Sequence, residues 1–219
     1  IYDNKTEKRI DLHDFNAFER VLYQLAEKPR ASKKDAELMS PAIYEPNTLR
    51  RNINVIEWAG WCAVDVDDFE IKGNLSEYLV NKFNDYRFVC YSTASSTIDV
   101  PKFRLVFPLT KAVRNGNIKA FWYALQTELG DLGDKQTKDL SRMYYIPGKY
   151  AGAHNFIFSH RTGKSINSRK LINKHPMAEK TGATFIDRLS SLLIVIVLTN
   201  LNISQNAYSR VYSGIDVLT

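Results

Sequence analysis

Trp61-Cys62-Ala63-Val64-Asp65-Val66-Asp67-Asp68-Phe69 is the stretch on which the reading of this chain turns. Ala63, Val64 and Val66 make an apolar run that ends in three carboxylates, so a core strand carries acids to its own C-terminal end. Residues two apart in an extended strand share a face and lie roughly 6–7 Å apart. Asp65 and Asp67 therefore point one way and Asp68 the other. Two like charges held that close resist ionising together unless a cation lies between them, and hard divalent ions take carboxylate oxygens. The stretch is a candidate Mg²⁺ or Mn²⁺ site; on the plainer reading it is a strand leaving the core into a solvated acidic turn. An EF-hand loop is disfavoured against both, because the glycine and terminal glutamate of such a loop are missing.

The 219 residues are enough for one large domain or a domain with an appendage, and 44% apolar content with 12% aromatics supports a real core. The chain opens at Ile1 without an apolar leader, which reads as a fragment of a longer protein. The strongest apolar run, residues 192–198, is too short to span a bilayer and follows Asp187 and Arg188. Cys62 and Cys90 both fall in expected strands, where buried thiols are common, and this suits a reducing cytoplasm. The net charge of +6 is unevenly placed: Lys and Arg against Asp and Glu number 10 and 9 up to Arg51, 12 and 12 over residues 52–160, and 8 and 3 thereafter. Arg161, Lys164, Arg169, Lys170, Lys174 and Lys180 carry that excess, either as a track for a phosphate backbone or as a solvated linker.

Outward from the acidic strand, the spacing of Phe15, Phe18, Val21, Leu22 and Leu25 predicts an amphipathic helix over residues 14–28, capped by Asp11 or Asp14. Residues 29–46 read as a loop with a short helix around Ala36. Arg50 and Arg51 follow, as surface charges or as cations facing a nucleotide or template. Gly73 and Asn74 open a second helix with Leu75, Tyr78, Leu79 and Phe83 on one stripe, and residues 86–92 form a strand. After a polar loop closed by Pro101, residues 102–109 form another strand. It places Lys102, Arg104 and Val106 on one face and Phe103, Leu105 and Phe107 on the other. Ile118, Phe121, Trp122, Leu125 and Leu129 make a third helix ending near Gly130, and residues 156–159 a last strand. This order predicts an α+β fold with a mainly antiparallel sheet and flanking helices. The expected organisation is an N-terminal helix and loop over residues 1–51, a core over 52–160, and a basic then apolar segment over 161–219.

No Gly-rich phosphate loop occurs, which disfavours a P-loop NTPase. His154 and His160 lack partners at zinc spacing. No His-apolar-His triplet precedes a tyrosine, which argues against a rolling-circle nickase. Tyr144 and Tyr145 read as strand packing, with base stacking the alternative. What remains is a constellation: Asp65 and Asp67, a Ser/Thr-rich loop at residues 92–97, cations at Lys102 and Arg104, and a second mixed cluster of Asp134, Lys138, Asp139 and Arg142. Phosphoryl transfer uses such parts, with carboxylates on metals and cations on a triphosphate.

In order, Val64-Asp65-Val66-Asp67, then Tyr91-Ser92-Thr93-Ala94-Ser95-Ser96-Thr97 with Lys102-Phe103-Arg104-Leu105-Val106-Phe107, then Asp139-Leu140-Ser141-Arg142-Met143-Tyr144-Tyr145-Ile146-Pro147-Gly148, resemble the three motifs of the archaeo-eukaryotic primase superfamily. The resemblance is strongest to the primase-polymerase domains of phage, virus and plasmid replication proteins. It covers residues 50–159 and implies an RRM-like catalytic core. It also implies that Asp65, Asp67 and Asp139 bind two Mg²⁺ or Mn²⁺ ions and are catalytic, with Asp134 the competitor for the third place. Ser92, Ser95, Ser96, Lys102, Arg104 and Arg142 would hold the nucleotide, and Arg161, Lys164, Arg169 and Lys170 would hold nucleic acid. The implied partners are a single-stranded DNA template, nucleoside triphosphates and a helicase domain or partner. One departure stands out: Ser96 occupies the place where many members carry a triphosphate-binding histidine. A non-catalytic DNA-binding initiation module and a two-metal nuclease are the competing functions.

Overall fold

The structure, a computed structural model, describes residues 9–67, 69–70, 73–134 and 138–177. These belong to one compact unit, residues 1–177. Asp68, Lys180 and the apolar run at 192–198 lie outside the described residues.

Asp14 starts the first helix, α1 (Phe15–Ala26), by accepting from the Ala17 N–H at 2.7 Å, which satisfies one of the donors that a helix start leaves open. Three short strands follow, β1 (Pro29–Arg30), β2 (Leu38–Met39) and β3 (Ala42–Tyr44), with a 3₁₀ turn at Lys33–Asp35 between the first two. The expected helical turn near Ala36 is present, but the segment read as a loop also contains these three strands. Strands of two or three residues are too short to leave a local periodicity to read, and β1 and β2 pair with segments more than a hundred residues on. Next come β4 (Val55–Trp58), β5 (Trp61–Val66), α2 (Leu75–Lys82), β6 (Phe88–Ser92), β7 (Phe103–Pro108) and β8 (Val113–Arg114). They are followed by α3 (Asn115–Glu128), β9 (Tyr144–Tyr145), β10 (Lys149–Tyr150), β11 (Ile157–His160) and α4 (Ser168–Lys174).

The central sheet is four-stranded and antiparallel throughout, in the order β11-β6-β7-β5. Smaller sheets surround it: β3-β4-β8, β2-β9 and the parallel pair β1-β10. The fold is thus α+β and mainly antiparallel. The segment before Arg51 is more than a helix and a loop, because β1, β2 and β3 pair with β10, β9 and β4.

Alternation along the strands assigns the two faces. Cys62, Val64 and Val66 of β5, Phe88 and Cys90 of β6, and Phe103, Leu105 and Phe107 of β7 join Leu79, Phe83, Ile118, Phe121 and Leu125 in the larger core. Leu171 belongs to that cluster too, so α4 lies on the same face as α2 and α3. On the opposite face Ala63, Val89, Tyr91 and Val106 pack with Leu22 of α1 and Tyr144 of β9. Burial pushes the pKa of both thiols, Cys62 and Cys90, upward, which leaves them as inert apolar filling.

Glu128 ties α3 to α4. Its carboxylate accepts from Tyr86 Oη at 2.6 Å, pairs with Lys174 at 2.7 Å and meets His175 Nε2 at 2.5 Å. Burial alone raises the pKa of this group, but those hydrogen bonds outweigh it and hold the carboxyl at about 2 against an ordinary 4.5. A depressed carboxylate pKa contributes stability that is complete above the unfolded value and lost as pH falls through the folded one. Urea unfolding followed from pH 6 downward is therefore expected to show a loss of stability beginning near pH 4.5 and continuing toward pH 2. The Glu128→Gln variant should lack that part of the acid dependence, and an identical acid slope in the variant would contradict the assignment.

Candidate nucleotide cleft

Register fixes the centre of the site. Asp65 of β5 pairs with Arg104 of β7, and Arg104 pairs with Tyr91 of β6, so the three side chains form a row across the sheet on the face away from α2 and α3. Arg104 and Asp65 are each 6% exposed. Arg104 Nε donates to Asp65 Oδ1 at 2.5 Å, and a terminal guanidinium nitrogen contacts the same oxygen. The other terminal nitrogen, Nη1, donates to Tyr91 Oη at 3.1 Å and to the Tyr145 carbonyl at 2.6 Å. The Tyr144 ring lies 4.8 Å from the guanidinium carbon, within cation–π range. Burial by itself disfavours the charge, yet Tyr91 and Asp65 together raise the Arg104 pKa above its ordinary value. Burial drives the Tyr91 phenol up to about 12, so it stays a neutral donor, and its hydroxyl passes a hydrogen bond to the Tyr145 carbonyl at 3.1 Å.

A cleft of about 510 Å³ opens beside this row, at the C-terminal ends of β5 and β6. Residues from all three motifs line it: Asp65 and Asp67, Tyr91 to Ser95 together with Arg104, and Asp139, Ser141 and Arg142. The loop that carries Asp139 and Arg142 is anchored by the N-terminal half of the chain. Trp58 Nε1 donates to the Leu140 carbonyl at 2.8 Å, Tyr44 Oη to the Ser141 carbonyl at 3.3 Å, and Ser40 Oγ to the Arg142 carbonyl at 2.8 Å. Asn52 Oδ1 accepts from both the N–H and the hydroxyl of Ser141 at 2.8 Å. The 3₁₀ turn before β2 brings Lys33 to the cleft, with Nζ 4.6 Å from the Tyr145 ring centre, and Arg50 lines it as well. Arg50 Nε and Arg142 Nε are buried without a hydrogen-bond partner among the described residues. Lys33, Arg50, Arg104 and Arg142 set four cations in the cleft wall against the carboxylates of Asp65, Asp67 and Asp139.

Not every expected residue reaches the cleft. Ser92 does, but its hydroxyl accepts from the Phe156 N–H at 3.0 Å and so fastens β11 to β6. Ser95 lines the cleft and is exposed. Ser96 is 0% exposed and accepts from the Lys102 N–H at 3.1 Å, closing the loop between β6 and β7. Neither Ser96 nor Lys102 lines the cleft. Asp134 is tied to the acidic strand by its backbone, the N–H donating to the Asp65 carbonyl at 2.9 Å, and is also absent from the lining. Of the basic tail, Arg161 pairs with Glu19 of α1 at 2.6 Å. Lys164, Arg169 and Lys170 are exposed, the last two on α4, across the sheet from the cleft. Lys33 and Tyr150, which the sequence reading passed over, do line the cleft. They sit in short irregular segments, and only the long-range pairings of β2 and β10 bring them there.

The carboxylates are the oxygen donors that Mg²⁺ and Mn²⁺ take. Their arrangement does not fit an ion shared by all three. Among the described residues no three acid, histidine or cysteine side chains are close enough to hold a metal. Asp65 is committed to Arg104, and Arg142 lies between Asp65 and Asp139, its terminal nitrogens 3.5 Å from Asp65 Oδ2 and 3.8 Å from Asp139 Oδ2.

The buried pair makes the two motif aspartates unequal. Removing one partner of a buried ion pair leaves the other charge stranded and costs about 3–5 kcal/mol. Asp65→Ala is accordingly expected to lower unfolding stability by about that amount, whereas exposed Asp67→Ala should change it by less than about 0.5 kcal/mol. Chemical denaturation of both variants checks this, and equal stabilities would show that Asp65 does not carry the row.

Among solved structures, the AEP domain of the primase-polymerase (PrimPol) of cyanophage S-2L is similar at 12% identity and a TM-score of 0.42, covering 62% of this chain and 69% of that one. No curated protein matches the sequence. Residues 47–181 match the family described as VapE N-terminal domain. That match runs from just before Arg50 through all three motifs to the end of α4, and the chain belongs to the VapE N-terminal domain family, whose place in phage and plasmid replication proteins agrees with the resemblance its motifs carry.

Proposed function

We propose that this domain binds nucleoside triphosphates in the cleft beside Asp65 and acts as a primase-polymerase in the replication of a mobile element, on a single-stranded DNA template. One observation carries the reading: three motifs far apart in sequence meet in a single cleft whose wall includes Arg50 and Arg142, each with a buried nitrogen that lacks a partner among the described residues. A triphosphate is an anion that this cationic wall would hold, and a guanidinium matches phosphate geometry in two-point contacts. In this reading Arg50, Arg142 and Lys33 hold phosphates, and Ser95 supplies a hydroxyl. Arg104 does not touch the nucleotide; it holds Asp65 in place. Asp67 and Asp139 are the carboxylates with least commitment, and the divalent ions that nucleotidyl transfer employs would be held by them, since Asp65 is committed to Arg104. Lys164, Arg169 and Lys170 are a separate cationic surface for nucleic acid. A helicase domain or partner and a location in the host cytoplasm complete the proposal; among the described residues no helix is long and apolar enough to cross a membrane.

A second reading, a DNA-binding initiation module without catalysis, is favoured by two observations: Asp65 is paired with Arg104, and Ser96 is buried in its loop. Two measurements separate the readings. Fluorescent nucleoside triphosphate should bind the wild-type domain. Arg50→Ala should raise its Kd by about tenfold to a hundredfold, the worth of a charged hydrogen bond. Labelled nucleotide should be incorporated on unprimed single-stranded DNA with Mn²⁺, and Asp67→Asn should abolish that while leaving stability unchanged. Binding without incorporation would leave the initiation module, and absence of triphosphate binding would remove the nucleotide reading altogether.

A further inference from the structure

The cations assigned to phosphate line only part of the cleft. Much of the remaining wall comes from β2 and β9, two short strands whose register decides which side chains reach it. Leu38 pairs with Tyr145 and Met39 with Tyr144, so the two pairs lie on opposite faces of this small antiparallel sheet. Leu38 and Tyr145 line the cleft, whereas Tyr144 is 1% exposed in the core on that side of the central sheet and Met39 packs there with it. The adjacent tyrosines thus divide the two roles that their sequence leaves open: Tyr144 is strand packing, and Tyr145 presents a partly buried ring to the cleft. Met143, Ile146 and Tyr150 extend the same wall. Tyr150 spends its hydroxyl on the Ile146 carbonyl at 3.3 Å, and Leu38, Met143 and Ile146 have no strong hydrogen-bonding group in their side chains.

We infer that the wall built on Leu38 and Tyr145 is a nucleobase platform, on which the base of a bound nucleoside triphosphate stacks against the Tyr145 ring while its phosphates lie against Arg50 and Arg142. This rests on the reading of the cleft as a triphosphate site. A nucleoside triphosphate is an anion at one end and a flat aromatic ring at the other, and the cleft is divided in the same way. Arg142 and Met143 are consecutive and Tyr145 follows two residues later, so one loop supplies members of both halves. Lys33 joins them, its Nζ 4.6 Å from the Tyr145 ring centre in the same cleft as the two guanidinium groups. The platform is held by its backbone: the Tyr145 carbonyl accepts from Arg104 Nη1 at 2.6 Å and from Tyr91 Oη at 3.1 Å. Base–aromatic stacking tolerates any sequence, because every base has a π-face. The aliphatic members of the wall add no donor–acceptor pattern that tells one base edge from another. The site therefore takes all four bases and leaves their selection to pairing with a template strand.

Calorimetric titration of the full chain tests this with two ligands, a nucleoside triphosphate and inorganic tripolyphosphate, which has the phosphates without the base. Tyr145→Ala should weaken nucleoside triphosphate binding at least about fivefold, the lower end of one base–aromatic stack, and change the Kd for tripolyphosphate by less than about twofold. Tyr145→Phe keeps the ring and should bind both ligands as the wild type does. Tyr145→Leu keeps apolar volume without an aromatic face and should behave as the alanine variant does, which preserves the comparison if Tyr145→Ala does not fold. Arg50→Ala should weaken both ligands. The four nucleoside triphosphates should bind the wild type within about tenfold of one another. If Tyr145→Ala and Tyr145→Leu weaken both ligands equally, or neither, the platform is overturned while the triphosphate reading stands. A preference for one base above about a hundredfold would mean that the site reads a base edge, and would overturn stacking as the mode of recognition. If neither ligand binds the wild type, the triphosphate reading has failed and the platform with it.

Discussion

A buried guanidinium facing a buried carboxylate across two neighbouring strands is the constraint on which this domain is built. Arg104 and Asp65 sit directly opposite in the β5–β7 register, and neither can be enclosed alone at acceptable cost. Their mutual demand fixes what surrounds them. Tyr91 has to present its hydroxyl, the Tyr145 carbonyl has to turn inward, and the Tyr144 ring has to cover the charge while its own hydroxyl bonds the Ala63 carbonyl at 2.9 Å. These contacts bring β9, and with it the loop carrying Asp139 and Arg142, onto the same face of the sheet. The cleft is the space left beside that arrangement.

The two faces of the sheet divide the labour. One carries the large apolar core under α2 and α3 and supplies rigidity, since its strands contribute only apolar or thiol side chains there. The other alternates apolar residues with the charged row, and its cover is thin: α1 at one end and short strands from the first fifty residues at the other. The N-terminal region thus walls the cleft rather than leading into it. Its Ser40, Tyr44, Asn52 and Trp58 hold the third-motif loop by side-chain hydrogen bonds to that loop's backbone. A site on a loop gains positional precision when its backbone is pinned this way.

Much of this was legible in the chain. The apolar run into Asp65, the alternation along Phe103 to Phe107 and the helical stripes through Leu79 and Phe121 each have a strong local period, and each became the expected element. The pairing of Arg104 with Asp65 was not legible, because it depends on which residue of β7 stands opposite which residue of β5, and periodicity is blind to register. Arg104, expected as a phosphate ligand, lines the cleft and in addition has a buried partner on the neighbouring strand. Ser96 shows a related limit: a position in a motif says nothing of burial, and its hydroxyl closes a loop. Lys33 could be placed only by knowing that the short strands on either side of it, β1 and β2, pair with segments about a hundred residues distant. The basic tail illustrates the opposite limit, since composition gave its charge but not the face of the sheet on which α4 lies.

In the proposed function Arg104 belongs to the fold and Arg142 to the ligand. A crystal structure of the domain with a non-hydrolysable nucleoside triphosphate and Mn²⁺ tests this most directly. The account predicts phosphate oxygens against Arg50 and Arg142, with Arg104 still bonded to Asp65 and Tyr91. Triphosphate bound through Arg104 with the Asp65 contact broken, or bound away from this cleft, would contradict it.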